Sequence, residues 1–102
     1  MLFRSALEFH PEALGEFESA VRHYEQQQIG LGDRFAAAVE AAITSVLDAP
    51  LTWPILEKDV RRRLTRVFPY AILYSVESES ILVLAIMHCH QKPGYWLSRG
   101  GA

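Results

Sequence analysis

Before Pro50 the apolar residues of this chain recur every three or four positions, and after it they alternate or cluster in short, strand-length segments. A period near 3.6 belongs to a helix buried along one stripe, and a period of two belongs to a strand. Both periods, held in separate blocks, predict an α+β fold in which a helical layer covers a sheet. In the first block Ala13, Leu14, Phe17, Ala20, Val21 and Tyr24 form a stripe through residues 12–28. Pro11 suits the opening turn, where a missing amide donor costs nothing, and Glu12 sits near the positive end of the helix dipole. The sequence IGLG, residues 29–32, interrupts the pattern; Gly30 can take a positive φ there, and Asp33 can serve the first turn of a second helix. Phe35, Val39, Ala42, Ile43, Val46 and Leu47 then make a broad apolar surface, among alanines that favour helix and permit close approach. Pro50 closes this helix, so the block reads as an αα-hairpin.

Strand signals flank the hairpin. LFRSALEF, residues 2–9, alternates with Phe3, Ser5, Leu7 and Phe9 on one side. Residues 50–59 form a proline-punctuated connection, and strands are predicted at 60–67, 69–76 and 81–88, with ESES at 77–80 as a tight hairpin. Regular alternation in the last strand puts Leu82, Leu84, Ile86 and His88 on one face and Ile81, Val83, Ala85 and Met87 on the other. Both faces are largely apolar, so this strand is expected to be central or covered. The expectation is therefore one domain over residues 1–102: N-terminal strand, αα-hairpin, then an antiparallel β-meander in a small twisted sheet of three or four strands. Its expected core is Phe3, Leu14, Phe17, Val21, Phe35, Val39, Ile43, Ile72, Tyr74, Val83, Ala85 and Met87.

The chain has 102 residues and a formal charge of -2, but the charge is divided unevenly. Residues 1–59 hold ten acidic and four basic side chains, whereas residues 60–102 hold two acidic and six basic ones. Such patterning bears on partners rather than on fold. No apolar run is long enough for a transmembrane helix, the start lacks the layout of a secretory signal, and Cys89 has no second cysteine to pair with. A cytoplasmic setting without membrane association fits these features.

Four arginines, Arg61, Arg62, Arg63 and Arg66, fall within six positions. In a strand Arg61 and Arg63 share one side, with Arg62, Leu64 and Arg66 on the other. A guanidinium fork can hold phosphate or carboxylate, while the plainer reading is a solvated edge with internal salt bridges. His88 and His90 share a strand face but lack the third and fourth ligands a metal site requires, so no metal and no cofactor are expected. Cys89 reads as a lone buried or half-buried thiol. Tyr70 and Tyr74 share a strand face and read as core packing, and Trp53 as an anchor for the connection.

These residues resemble the RelE/ParE superfamily of type II toxins, nearer its ParE-like branch. The resemblance covers about residues 3–99 and is carried by Pro11, Ala13 and Glu16, then Tyr24 and GLGDRF from Gly30 to Phe35. It continues through Pro50, the basic run Arg61–Arg66, FPYAILY from Phe68 to Tyr74, and H-x-x-x-x-P-x-x-W from His88 to Trp96. It implies a compact toxin held inactive by a cognate antitoxin. RelE-like members cleave messenger RNA on the ribosome, whereas characterised ParE-like members often inhibit DNA gyrase. Cleavage would need groups that activate a ribose hydroxyl and stabilise phosphate charge; Arg61, Arg63, Arg66, His88, Lys92 and Tyr95 are the candidates. The RelE-like pattern is denser in lysine and arginine than this C-terminal segment, which has no arginine between His88 and Arg99. The noncatalytic gyrase-inhibitor reading is therefore favoured, with no catalytic residue assigned, and Arg61, Arg62, Arg63, Arg66 and Trp96 as partner-binding candidates. A nontoxic module that only binds its antitoxin is the remaining alternative.

Overall fold

A computed structural model describes residues 6–100. Its order is β1 (Ala6–Phe9), α1 (Pro11–Gln27), α2 (Leu31–Asp48), β2 (Ile55–Glu57), β3 (Val60–Leu64), β4 (Tyr70–Val76) and β5 (Ser80–His88), then a 3-10 turn at Leu97–Arg99. The strands form one sheet in the order β1-β5-β4-β3-β2. All neighbours are antiparallel except β1 and β5, which run parallel. The expected α+β architecture is present, with five strands rather than three or four. The extra strand is β2, where Ile55 pairs with Arg61 inside the connection punctuated by Pro50 and Pro54. Its three residues are all exposed and carry no alternation, which hid it from a pattern search.

Local chemistry sets the helical hairpin. Pro11 opens α1, and the His10 Nδ1 accepts from the Glu12 amide at 3.1 Å as an N-cap. Gly30 bridges the helices at φ 88°, a backbone state that favours glycine. The Glu25 carboxylate then accepts from the amides of Gly30 and Gly32, at 3.0 Å for each, tying the end of α1 to the start of α2. At Gly32 a Cβ would stand 2.7 Å from the Val21 carbonyl oxygen, so the helices approach there only because the side chain is missing.

The helices cover one face of the sheet. Phe35 is at the centre of this layer, with ring centroids of Tyr70, Tyr24, Phe68 and Phe17 at 4.8, 5.1, 5.3 and 6.2 Å. Ala13, Ala20, Val39, Ile72, Val83 and Ile86 complete the buried cluster around it. On the other face Val60, Ala71, Leu73, Leu84, Ala85 and Met87 are sealed by Trp96, which is 2% exposed. The last strand is covered on both faces, as its composition predicts.

Its side assignment differs from strict alternation. Tyr74 pairs with Val83 but Leu73 pairs with Ala85, so Leu84 is an inserted bulge residue. Ala85 and Met87 therefore lie on the Trp96 face, and Ile86 on the helix face with Val83. Among the other expected core residues Leu14 is 44% exposed, Phe17 and Val21 are half-buried, and Phe3 lies outside the described residues, as does the first part of the strand predicted at 2–9. No helix of the described residues is long and apolar enough to cross a membrane.

Candidate functional site

The arginine run contributes β3, where Arg61 pairs with Tyr74, Arg62 with Leu73 and Arg63 with Ile72. Arg61 and Arg63 thus lie toward the helices and Arg62 on the opposite face, the division expected from strand geometry. Arg61 Nη1 donates to the carbonyl oxygens of Trp53 at 2.7 Å and Leu51 at 3.2 Å. Arg63 Nε donates to Ser45 Oγ at 2.9 Å, and its Cζ stands 3.9 Å above the Trp53 ring. The Tyr74 hydroxyl donates to the Pro50 carbonyl at 2.6 Å. Burial raises the Tyr74 phenol above its ordinary value, and the two guanidiniums partly counter it. These groups fasten the proline-rich connection to the sheet and to the last turns of α2, where a cation is favoured by the helix dipole. Trp53 anchors the segment through a long hydrogen bond from Nε1 to the Ser45 carbonyl, 3.4 Å.

The other candidates are dispersed. Arg62 is half-buried and lines a pocket of about 240 Å3 with Leu56, Glu57, Met87, Cys89 and Trp96. Arg66 is exposed and makes no ion pair or hydrogen bond through its side chain among the described residues. His88 ends β5, edge-on to Tyr70 at 5.1 Å, and its Nδ1 accepts from the His90 amide at 3.0 Å. Lys92 is exposed in the following turn. Tyr95 lies against Arg99, whose Cζ is 4.9 Å from its ring. β3 and β5 are separated by β4, so Arg61 and Arg63 are about 10 Å of backbone spacing from the β5 residues across the sheet. Trp96, offered as contact area by its place after the last strand, is instead a core residue; its indole presents almost no surface. Cys89 is exposed rather than buried or half-buried, because it follows β5 and falls outside the layer that Trp96 covers. No group of three or more metal-ligating side chains comes together among the described residues.

The most tightly organised polar site includes neither the arginine run nor the histidines. Arg99 donates to Glu16 Oε1 at 3.1 Å, to Glu16 Oε2 at 2.9 Å and to the Leu84 carbonyl at 3.0 Å, with Glu12 more distant at 3.5 Å. Glu16 Oε1 also accepts from the Ile86 amide at 3.0 Å. β1 ends beside Val83, where His10 donates to the Val83 carbonyl, so the next outward backbone groups of β5 have no strand neighbour. Glu16 and Arg99 take the place of that missing strand. The bulge at Leu84 turns its carbonyl toward them. Arg99 is 8% exposed; burial works against its charge, but Glu16 above all, helped by Glu12, holds its guanidinium above its ordinary value. Burial first, then Glu16, pushes the Tyr95 phenol well above its ordinary value; neither neighbour completes a hydrogen bond with its buried hydroxyl.

Sequence reasoning passed over this pair. A signal was present: Glu16 lies within the α1 stripe between Ala13 and Phe17, and a carboxylate there requires a buried partner. Nothing in sequence pointed to Arg99 as that partner, 83 residues away. Beside the pair opens a broad groove of about 620 Å3 that also includes His23, Tyr70 and Gln91. A second groove of about 370 Å3, between β1 and the two helices, is lined mainly by Leu7, Phe9, Leu14, Phe17, Ile43 and Leu47.

A helical hairpin on one face of this mixed sheet, with an N-terminal strand parallel to the last one, defines a small two-layer α+β fold. A solved structure described as the chromosomal ParDE TA system from P. aeruginosa shares it, with a TM-score of 0.62 and 16% identity over 83% of this chain and 96% of that one. No curated protein matches the sequence. The model of the family described as the ParE toxin of the type II toxin-antitoxin system, parDE, matches residues 7–93, and this chain belongs to that family.

Proposed function

We propose that this protein is a noncatalytic toxin that inhibits DNA gyrase by surface contact and is neutralised in the cytoplasm by a cognate antitoxin. The observation that carries the choice is the dispersal of the ribonuclease candidates. Arg61 and Arg63 are bound to Trp53, Leu51 and Ser45 inside the fold, His88 belongs to β5, and Tyr95 is packed under Arg99. Phosphoryl chemistry needs an acid, a base and a charge stabiliser within hydrogen-bond reach of one substrate. Arg61 and Arg63 stand one strand away from His88, with their guanidinium donors already engaged by the connection and by Ser45. The groove that exposes Leu7 and Leu14 supports the antitoxin part of the reading. An apolar face on an antitoxin segment can cover it and order on binding, in keeping with the toxin-antitoxin system that the P. aeruginosa structure represents.

A paired assay tests the choice. The purified protein is expected to inhibit supercoiling by gyrase and to leave messenger RNA uncut on ribosomes. Codon-dependent cleavage with unaffected gyrase would reverse the assignment and make Arg61, Arg63, Arg66, His88 and Tyr95 the substitutions to examine. A folded protein that binds the product of the adjacent open reading frame and shows neither activity would be the nontoxic module.

A further inference from the structure

The loop between β3 and β4 combines three features that folding alone does not require. Val67 has φ 73° and is 89% exposed. A β-branched side chain in that region is sterically disfavoured, and the Phe68 amide closes onto the Arg66 carbonyl at 2.8 Å around it, the left-handed and strained form of a γ-turn. The geometry is held from below. Thr65 is buried, its amide donates to the Tyr70 carbonyl at 2.9 Å, and its hydroxyl lies 2.8 Å from the Phe68 carbonyl and 3.1 Å from that of Tyr70. Glycine or asparagine would satisfy this backbone more easily, yet an exposed valine occupies it.

Arg66 stands next to this strained valine. Alone of the three arginines at 61, 63 and 66, it has no partner for its guanidinium among the described residues. Beside it Leu64 is 47% exposed, and a shallow notch is lined by Ala38, Ala41, Ala42, Arg63, Leu64 and Arg66, without a carboxylate. Strain held at an exposed position by buried supports is characteristic of a contact element whose shape is set before binding.

We propose that the Arg66–Val67 turn is a preformed docking point for an acidic segment of the antitoxin, which places a carboxylate on Arg66 and an apolar side chain over Val67 and Leu64. This rests on the antitoxin reading above and assigns it a second contact, apart from the groove between β1 and the helices. The chemistry favours a protein over nucleic acid. A single free arginine beside the aliphatic side chains of Val67 and Leu64 offers one anion contact, not the row of cations that a phosphate backbone requires. The carboxylate of an apolar-anchored segment meets both halves of the surface.

The test uses the full chain co-expressed with the product of the adjacent open reading frame, comparing wild type, Val67→Gly and Arg66→Glu. Val67→Gly releases the left-handed strain and is expected to raise Tm by about 4–8 °C, while its affinity for the antitoxin falls at least about tenfold. Arg66→Glu is expected to keep Tm and to lose at least as much affinity. Val67→Gly with wild-type affinity refutes the docking point, and so does a fall in Tm, because glycine's greater unfolded-state entropy is then not offset by released strain. Failure of the wild type to bind the adjacent product refutes the antitoxin reading and this use of the turn together. Binding of a single-stranded RNA oligonucleotide that Arg66→Glu abolishes, with antitoxin affinity intact, overturns the proposal in favour of a nucleic-acid contact.

Discussion

Replacing Arg99 by methionine isolates the energetics of the C-terminal closure. Methionine retains much of the side-chain volume and removes every donor. The Leu84 carbonyl then loses its 3.0 Å partner in a buried setting, which costs about 1–3 kcal/mol. Glu16 loses two charge-assisted bonds, but its side chain is 22% exposed and regains water. Its share therefore falls below the about 3–5 kcal/mol of a fully buried pair, and the desolvation of Arg99 is recovered as well. The balance is a loss of about 2–4 kcal/mol, or a fall in Tm of roughly 10–25 °C for a domain of this size. Glu16→Gln keeps an acceptor for the Ile86 amide but leaves the buried Arg99 guanidinium with only the more distant Glu12 carboxylate, so its cost is of the same order, about 2–3 kcal/mol. Thermal and urea unfolding of both single variants and the double variant complete a cycle whose coupling is expected at about 1–2 kcal/mol. The reasoning is refuted if Arg99→Met lowers Tm by less than about 4 °C, or if the two costs simply add.

Tyr95→Phe is expected to leave stability at neutral pH unchanged or slightly improved, since it removes a buried hydroxyl that has no partner. The folded phenol lies above its ordinary value of 10.0, so its contribution is complete below pH 10 and fades as pH rises from there toward the folded value. Denaturant titrations from pH 8 to 11 should therefore show the wild type losing stability above about pH 10 more steeply than the phenylalanine variant, and equal slopes would contradict the assignment. Gly32→Ala drives a Cβ to 2.7 Å from the Val21 carbonyl and is expected to cost about 1–3 kcal/mol by parting the helices, read as an equivalent loss in urea unfolding. A variant of wild-type stability would show that the helices can separate freely.

Local patterns in the sequence determined the elements and their layering. The stripe through Ala13 to Tyr24, the break at Gly30 and the end at Pro50 all concern residues within a turn or two of one another, so they can be read without knowledge of any tertiary contact. The double-sided apolar strand at 81–88 likewise required cover on both faces. The resemblance in GLGDRF and FPYAILY led to the toxin family that the comparisons support. Periodicity failed where one residue changes the count: Leu84 is an extra residue in β5, and it moved Ala85 and Met87 to the opposite face. That bulge has no local signature in ILVLAIM.

Tertiary structure alone decided which charges are free. All four arginines look alike in a row, but their fates depend on what the opposite end of each guanidinium meets. The connection 50–54 supplies carbonyls to Arg61, Ser45 supplies a hydroxyl to Arg63, and nothing among the described residues answers Arg66. The same dependence on distant partners joins Glu16 to Arg99 and withdraws Trp96 from the surface into the second core. Periodicity reports which face a side chain occupies. It carries no information on the partner that arrives from another part of the chain, because that partner is selected by packing and by the cost of leaving a buried polar group unpaired.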